Sequence, residues 1–296
     1  TWCLVGSEMC IRDRDEIVRK ISFTLLGEIE LSSLERAQRK PTDTLSSYEL
    51  LLKGKALHHK VQKDALLNAL TTFDDAIKAD EKNGQAYAWK ACALGQGLFR
   101  GYLEEDFNTV WKQAEDNLKK ARELNENDFE VHRLMSEVSL AMKDFRAAQR
   151  HSKICYEQVP NDPRVLSVYG EVCLRTGKVD EGLDAVKLAL EIDPVAQGKT
   201  NADPRHAAVI FGYYMARDKE GCLEQINNLE EIDFKSWLLT TKICRDEEHE
   251  FSNLDWFQEG KKLFSDKDFE KEVQDFRLNN DSATETLISF AKELFS

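Results

Sequence analysis

The chain is short of proline, glycine and positive charge, and it has no long apolar run. Five prolines and fourteen glycines in 296 residues are too few for an all-β fold, which turns every ~8–12 residues. No stretch approaches the ~20 consecutive apolar residues that span a bilayer. Lysine and arginine number 41 against 54 aspartates and glutamates, giving a net charge of -13. That deficit argues against binding nucleic acid by phosphate neutralisation. Seven cysteines are present, but no CxxC pair. Cys92, Cys155, Cys173, Cys222 and Cys244 fall inside apolar helical patterns, so cysteine reads as a small core residue in a reducing, cytoplasmic setting.

Chemical motifs are missing too. There is no GxxxxGK(S/T), GxGxxG or GxSxG. Adjacent helical side chains point ~100° apart, so His58 and His59 do not face one ion, and no further ligand stands at metal spacing. Asp246 to Glu250 lacks the alternating ligands and turn glycine of a calcium loop. Both clusters read as solvated. No catalytic, cofactor-binding or metal-binding residue is expected.

What is present is a repeat. Pro160 and Pro194 stand 34 residues apart, and the same offsets before them carry Ala148, Ser152 and Cys155 in one unit and Gly182, Val186 and Ala189 in the next. Small residues at these offsets, closed by proline, are what a tetratricopeptide helix pair requires. Each pair buries its apolar face only by stacking on a neighbour. The expected fold is all-α, a right-handed superhelical solenoid of antiparallel helix pairs. It occupies residues 48–296 as four clear and two degraded repeats with C-terminal capping helices.

The first unit runs from Tyr48 to Asn83, with Gly54 facing a second helix that carries Ala69, Phe73 and Ala76. The second has Ala91 on its first helix and Ala114, Leu118 and Ala121 on its second, with an extra stretch, Gly95 to Asp106, between them. Phe129 to Pro160 and Pro163 to Pro194, which includes Gly170, are the third and fourth. A larger residue at Ala69, Ala114, Ala148 or Gly182 would overpack the helix crossing by ~1–3 kcal/mol. After a loop from Gln197 to Pro204, Phe211–Arg217 pairs with Cys222–Leu229, and Trp237–Ile243 with Trp256–Phe264. Lys271–Phe276 and Ala283–Phe295 are terminal helices, the last started by Asp281 and Ser282.

Upstream, residues 15–47 read as a linker. Ile17, Ile21, Leu25 and Ile29 form a helical stripe that Pro41 stops. Leu4 to Asp13 matches one reading frame of a transposase-type sequencing adapter residue for residue. Residues 1–14 are therefore expected to lie outside the fold, with genuine sequence starting near Asp15. From Asp15 onward, the stretches Asp15–Ile21, Leu34–Thr42 and Ser47–Gly54 resemble the C-terminal region of bacterial class III adenylate/guanylate cyclases bearing tetratricopeptide repeats. Related arrays follow winged-helix regulators. In that family such a helix and connector follow a small TolB-like α/β domain. The resemblance implies an upstream nucleotide-cyclising or DNA-binding domain, and it transfers no catalytic residue to this chain.

The function expected of such a chain is non-catalytic protein interaction and regulation. Its first helices would line a groove containing Glu130, Arg133, Glu137, Arg164, Ser167, Glu171 and Arg175. Arg133, Arg164 and Arg175 would either form a basic strip that selects an acidic peptide or protein, or pair with Glu137 and Glu171 along the groove. The Lys/Asn set that grips a terminal carboxylate in chaperone-binding arrays is not evident. The alternative is the sensor region of a winged-helix transcription regulator. Nothing in the sequence indicates the oligomeric state.

Overall fold

A computed structural model describes residues 29, 30, 32–35, 45–196 and 199–296. The adapter-like segment, most of the linker helix and most of its connector lie outside the described residues. Residues 29, 30 and 32–35 are helical, and no strand occurs among the described residues. The helices are α1 (Ser47–His58), α2 (Lys63–Ala79), α3 (Gly84–Phe99), α4 (Phe107–Leu124), α5 (Phe129–Ala141), α6 (Phe145–Gln158), α7 (Pro163–Arg175) and α8 (Val179–Ile192). They continue with α9 (Asp203–Ala216), α10 (Lys219–Ile226), α11 (Phe234–Asp246), α12 (Asp255–Leu263), α13 (Phe269–Gln274) and α14 (Asp281–Leu294). Two compact units divide after Met135, within α5.

Helix starts are set by short polar side chains that accept from orphan backbone N–H groups. Ser46 and Glu49 form a reciprocal capping box on α1. Asp144, Asp162, Asp218, Asp233 and Asp268 cap α6, α7, α10, α11 and α13. Pro163 opens α7, where its missing N–H costs nothing. The last helix is capped by Asn280, which accepts from Ala283 N–H at 3.1 Å. This corrects the expected start at Asp281 and Ser282, which are already helical.

Exits from the first helices repeat one geometry. Gly101, Lys143, Gly177, Arg217 and Glu248 have φ between 53° and 87°. The residue after each donates its N–H back across the last turn: Tyr102 to Gly97, Asp144 to Ser139, Lys178 to Cys173, Asp218 to Tyr213 and His249 to Cys244, at 2.8–2.9 Å. This is the Schellman closure, which satisfies otherwise orphaned carbonyls. Lys143, Arg217 and Glu248 hold it without glycine, at a backbone cost of about 1 kcal/mol each.

In the N-terminal unit, α1 packs on α2, α2 on α3, and α3 on α4, and the first helices α1 and α3 also touch. Phe73 is fully buried, and Gly54 admits it: a Cβ at Gly54 would lie 2.4 Å from the Phe73 ring. Ala69, Ala76, Ala91 and Ala121 are fully buried, Ala114 nearly so, and Leu118 fills the adjoining space. The expected interhelical stretch from Gly95 is helical as far as Phe99. Gly97 serves close packing rather than a turn, since a Cβ there would meet Leu66 and Leu103 at 2.7 and 2.9 Å.

In the C-terminal unit, Ala148 packs with Leu140 and Val172, and Ser136 Oγ donates to the Ala148 carbonyl at 3.1 Å. The α7/α8 crossing is tightest. A Cβ on Gly182 would stand 2.8 Å from the Gly170 carbonyl and 2.8 Å from Leu174 N, and Gly170 faces Val186 in turn. Cys155, Val186 and Ala189 are buried. Helices α6 and α8 end at Gln158 and Ile192, two residues before Pro160 and Pro194, because the residue preceding proline disfavours helical geometry. Beyond Pro194 the chain between Gln197 and Pro204 is not all loop. Residues 197 and 198 lie outside the described residues, but α9 begins at Asp203, with Pro204 in its first turn. The last helices close over Trp237, which is fully buried and donates Nε1–H to the Phe257 carbonyl at 3.2 Å.

Candidate functional site

First helices carry the polar interiors of both units. In the N-terminal unit the centre is Trp89 of α3, 3% exposed. Lys55 Nζ and the Arg133 guanidinium stand 5.5 and 5.4 Å from the centre of its ring, and His58 and His59 meet it edge-on at 5.5 Å. Lys55 pairs with Glu30 at 3.1 Å. Arg133 makes a buried two-point pair with Glu130, both contacts 3.0 Å. His58 is therefore not solvated as expected but buried under the tryptophan, with Cys92 Sγ 3.7 Å from its Nε2. Burial first, then the positive field of Arg133, pushes its pKa down to about 4. His58 is thus neutral at physiological pH.

The C-terminal unit has a more open constellation. Helices α7, α9 and α11 follow one another as neighbouring first helices. Phe211 of α9 is fully buried, and two cations rest on its ring: Arg175 of α7, 4.7 Å from the ring centre, and Lys235 of α11, 4.0 Å from it. Arg175 is held by Glu171 at 3.1 Å and by the Phe276 carbonyl at 3.2 Å, while its buried Nε finds no acceptor. Lys235 lies 6.0 Å from the Phe276 ring and makes no ion pair among the described residues. Arg277, at φ 54° just after α13, lies in the field of Asp275 first and then within electrostatic reach of Arg175 and Glu171. Burial, then repulsion from Arg175, pulls the Lys235 pKa down to about 8. The neighbouring cations hold the Glu171 carboxyl below its ordinary range despite burial.

The seven residues assigned to the groove from sequence have separate fates. Glu130 and Arg133 neutralise each other beneath Trp89. Arg164 turns back on Asp162, at 2.6 Å, within its own helix start. Ser167 belongs to a structural staple. Arg205 of α9 donates to the Ser167 hydroxyl, to the Pro163 carbonyl at 3.2 Å and to Asp193 through both its backbone and carboxylate oxygens. Glu137 is half-buried on α5. Glu171 and Arg175 meet as an ion pair in the cluster beside Phe211. The residues that complete it, Lys235 and Arg277, escaped the sequence reading. The available signal was a lysine between two core aromatics, Phe234 and Trp237, in the first turn of a first helix.

No protein-family model matches the chain, and no curated protein does. Solved structures do. The Pseudomonas aeruginosa protein pilF aligns over 76% of this chain and 98% of its own, at 14% identity and a TM-score of 0.51. The fold is of the tetratricopeptide kind. TTC0263, a thermophilic TPR protein of Thermus thermophilus, aligns over 74% of this chain and 99% of its own, at 17% identity and a TM-score of 0.47. A tetratricopeptide repeat protein of Parabacteroides merdae aligns over 94% and 97%, at 14% identity and a TM-score of 0.47. At such identities the likeness extends to architecture alone. No helix among the described residues is long and apolar enough to cross a membrane.

Proposed function

We propose that this chain is a non-catalytic protein-interaction module that binds an acidic peptide or protein segment along its first helices. The observation that carries the reading is the pair of cations on Phe211, Arg175 at 4.7 Å and Lys235 at 4.0 Å from its ring centre, drawn from two neighbouring first helices. In a chain of net charge -13 such a site attracts an acidic segment, while the rest of the surface repels non-specific anions. The module's place in a bacterial signalling protein with a nucleotide-cyclising domain rests on the linker resemblance at Asp15–Ile21 and Leu34–Thr42. The test is a binding screen of the full chain against peptide libraries biased to acidic, neutral or basic composition. Acidic peptides are expected to bind, and to weaken from low to physiological salt as screening sets in. Equal capture of neutral and basic peptides would refute the reading.

A further inference from the structure

Each unit sets a buried aromatic of one first helix against cations from two others. On Phe211 of α9 these are Arg175 and Lys235, and on Trp89 of α3 they are Lys55 of α1 and Arg133 of α5. The two cations on Trp89 are both paired. Arg133 holds Glu130 at 3.0 Å, and Lys55, 4% exposed, holds Glu30 at 3.1 and 3.4 Å. Burial keeps His58 neutral, and Arg100, exposed after α3, adds only positive field. Glu30 is not part of the repeats. It belongs to the upstream helix at residues 29, 30 and 32–35, 25 positions before Lys55. Among the described residues, no carboxylate of the repeats pairs with Lys55. A buried ammonium left without a counter-charge is strongly destabilising, so this face is neutralised only by a carboxylate brought from outside the array.

The upstream helix docks by its polar side. Glu30, on Lys55, and Ser33, 6% exposed, stand three positions apart on one face. Ile29, the last residue of the linker's apolar stripe, is 58% exposed. A helix recruited to extend the core would bury the isoleucine and expose the glutamate. The Glu30 side chain keeps 32% exposure, so a competing acid can approach the pair from solvent.

We propose that the helix carrying Glu30 is an intramolecular acidic ligand, which fills the carboxylate position at Lys55 over Trp89 and closes the N-terminal first helices to acidic partners until it is displaced. Tethering gives the chain's own carboxylate a high effective concentration, so an acidic segment of another molecule competes poorly against it. The inference rests on the interaction reading above and extends it to a second face that the chain fills itself.

The test uses the full chain and, as probe, a fluorescently labelled synthetic peptide of residues 25–36, with a second peptide in which Glu30 is replaced by glutamine. Binding is read by anisotropy. Glu30→Lys in the chain sets two ammonium groups against each other and is expected to release the helix, so that the probe binds at least tenfold more tightly than to wild type. Glu30→Gln in the chain keeps the shape of the pair and is expected to give a gain of about threefold, which covers the case in which Glu30→Lys does not fold. The glutamine peptide is expected to show no gain. Adding Lys55→Met to Glu30→Lys removes the docking ammonium, keeps its stem, and is expected to abolish the gain, which separates this face from the cations on Phe211. As a second readout, hydrogen exchange is expected to quicken at residues 29–35 in Glu30→Lys while α2, α3 and α4 stay as in wild type. Circular dichroism verifies that each variant is folded. The proposal is overturned if wild type binds the probe as tightly as the released variants do, if the glutamine peptide gains equally, or if the gain survives Lys55→Met. If neither Glu30 variant gains while acidic library peptides still bind the chain, closure by Glu30 falls and the interaction reading stands.

Discussion

Replacing Gly182 with alanine adds one methyl group where α8 crosses α7. Two opposing effects decide its sign. Alanine is favoured over glycine inside a helix by about 1 kcal/mol. Against this, the new Cβ would stand 2.8 Å from the Gly170 carbonyl and from Leu174 N. Both are backbone atoms of α7 and cannot turn aside as a side chain can. Relief therefore requires the helices to separate, and overpacking of this kind costs about 1–3 kcal/mol. The balance is a net loss of about 1 kcal/mol, more if α9, which packs on both α7 and α8, is displaced with them. Gly95 is the matched control. It lies inside α3, and a Cβ there meets nothing within 4 Å. Gly95→Ala should therefore stabilise by about 0.5–1 kcal/mol. Urea unfolding followed by far-ultraviolet circular dichroism would show the midpoint falling for Gly182→Ala and rising for Gly95→Ala, with slopes unchanged. A Gly182→Ala midpoint at or above wild type would show that the crossing opens without cost, and the argument from close approach would fail.

Three further outcomes follow from individual sites. His58 has a folded pKa of about 4, below its unfolded value, so the unfolded chain binds more protons between pH 6.5 and 4. Stability should therefore be full above pH 6.5 and fall by about 3 kcal/mol as pH drops to 4, a slope that His58→Leu should flatten in pH-dependent denaturation. Arg205→Ala removes the staple on Asp193, whose partner is buried to 8% side-chain exposure. Breaking such a pair leaves an uncompensated carboxylate and should cost about 3–5 kcal/mol by the same assay; a loss below 1 kcal/mol would mean water replaces the guanidinium freely. Lys143→Gly, at an exposed residue with φ 58°, should stabilise by about 0.5–1 kcal/mol, whereas a destabilised variant would show that lysine is not strained there.

The fold was legible where packing repeats at fixed offsets. Ala148, Cys155, Gly182 and Ala189 recur at the same distances before two prolines because each helix pair meets the same steric constraint. The turns were less legible. Lys143, Arg217 and Glu248 adopt a left-handed exit without the glycine that would announce it, since the Schellman hydrogen bonds and the flanking helices hold them there. Gly95 and Gly97 read as a loop because glycine has two uses that sequence does not separate, chain reversal and close approach. His58 read as solvated beside His59. Its burial depends on Trp89, 31 positions away on another helix, and no local pattern reports that. Of the proposed binding face, Arg175 and Glu171 were visible as a charged pair one turn apart. Lys235 reaches the Phe211 ring from α11, and only the stacking of α7, α9 and α11 brings it beside Arg175.

The central claim is that the first helices of the C-terminal unit form the binding face. Hydrogen–deuterium exchange on the full chain, with and without a saturating acidic peptide, tests it directly. Protection is expected in α7, in α9, at the start of α11 around Lys235 and in the turn at Phe276–Arg277, and Lys235→Met should abolish it at the same peptide concentration. Protection confined to α8, α10 and α12, or unchanged by the substitution, would contradict the account.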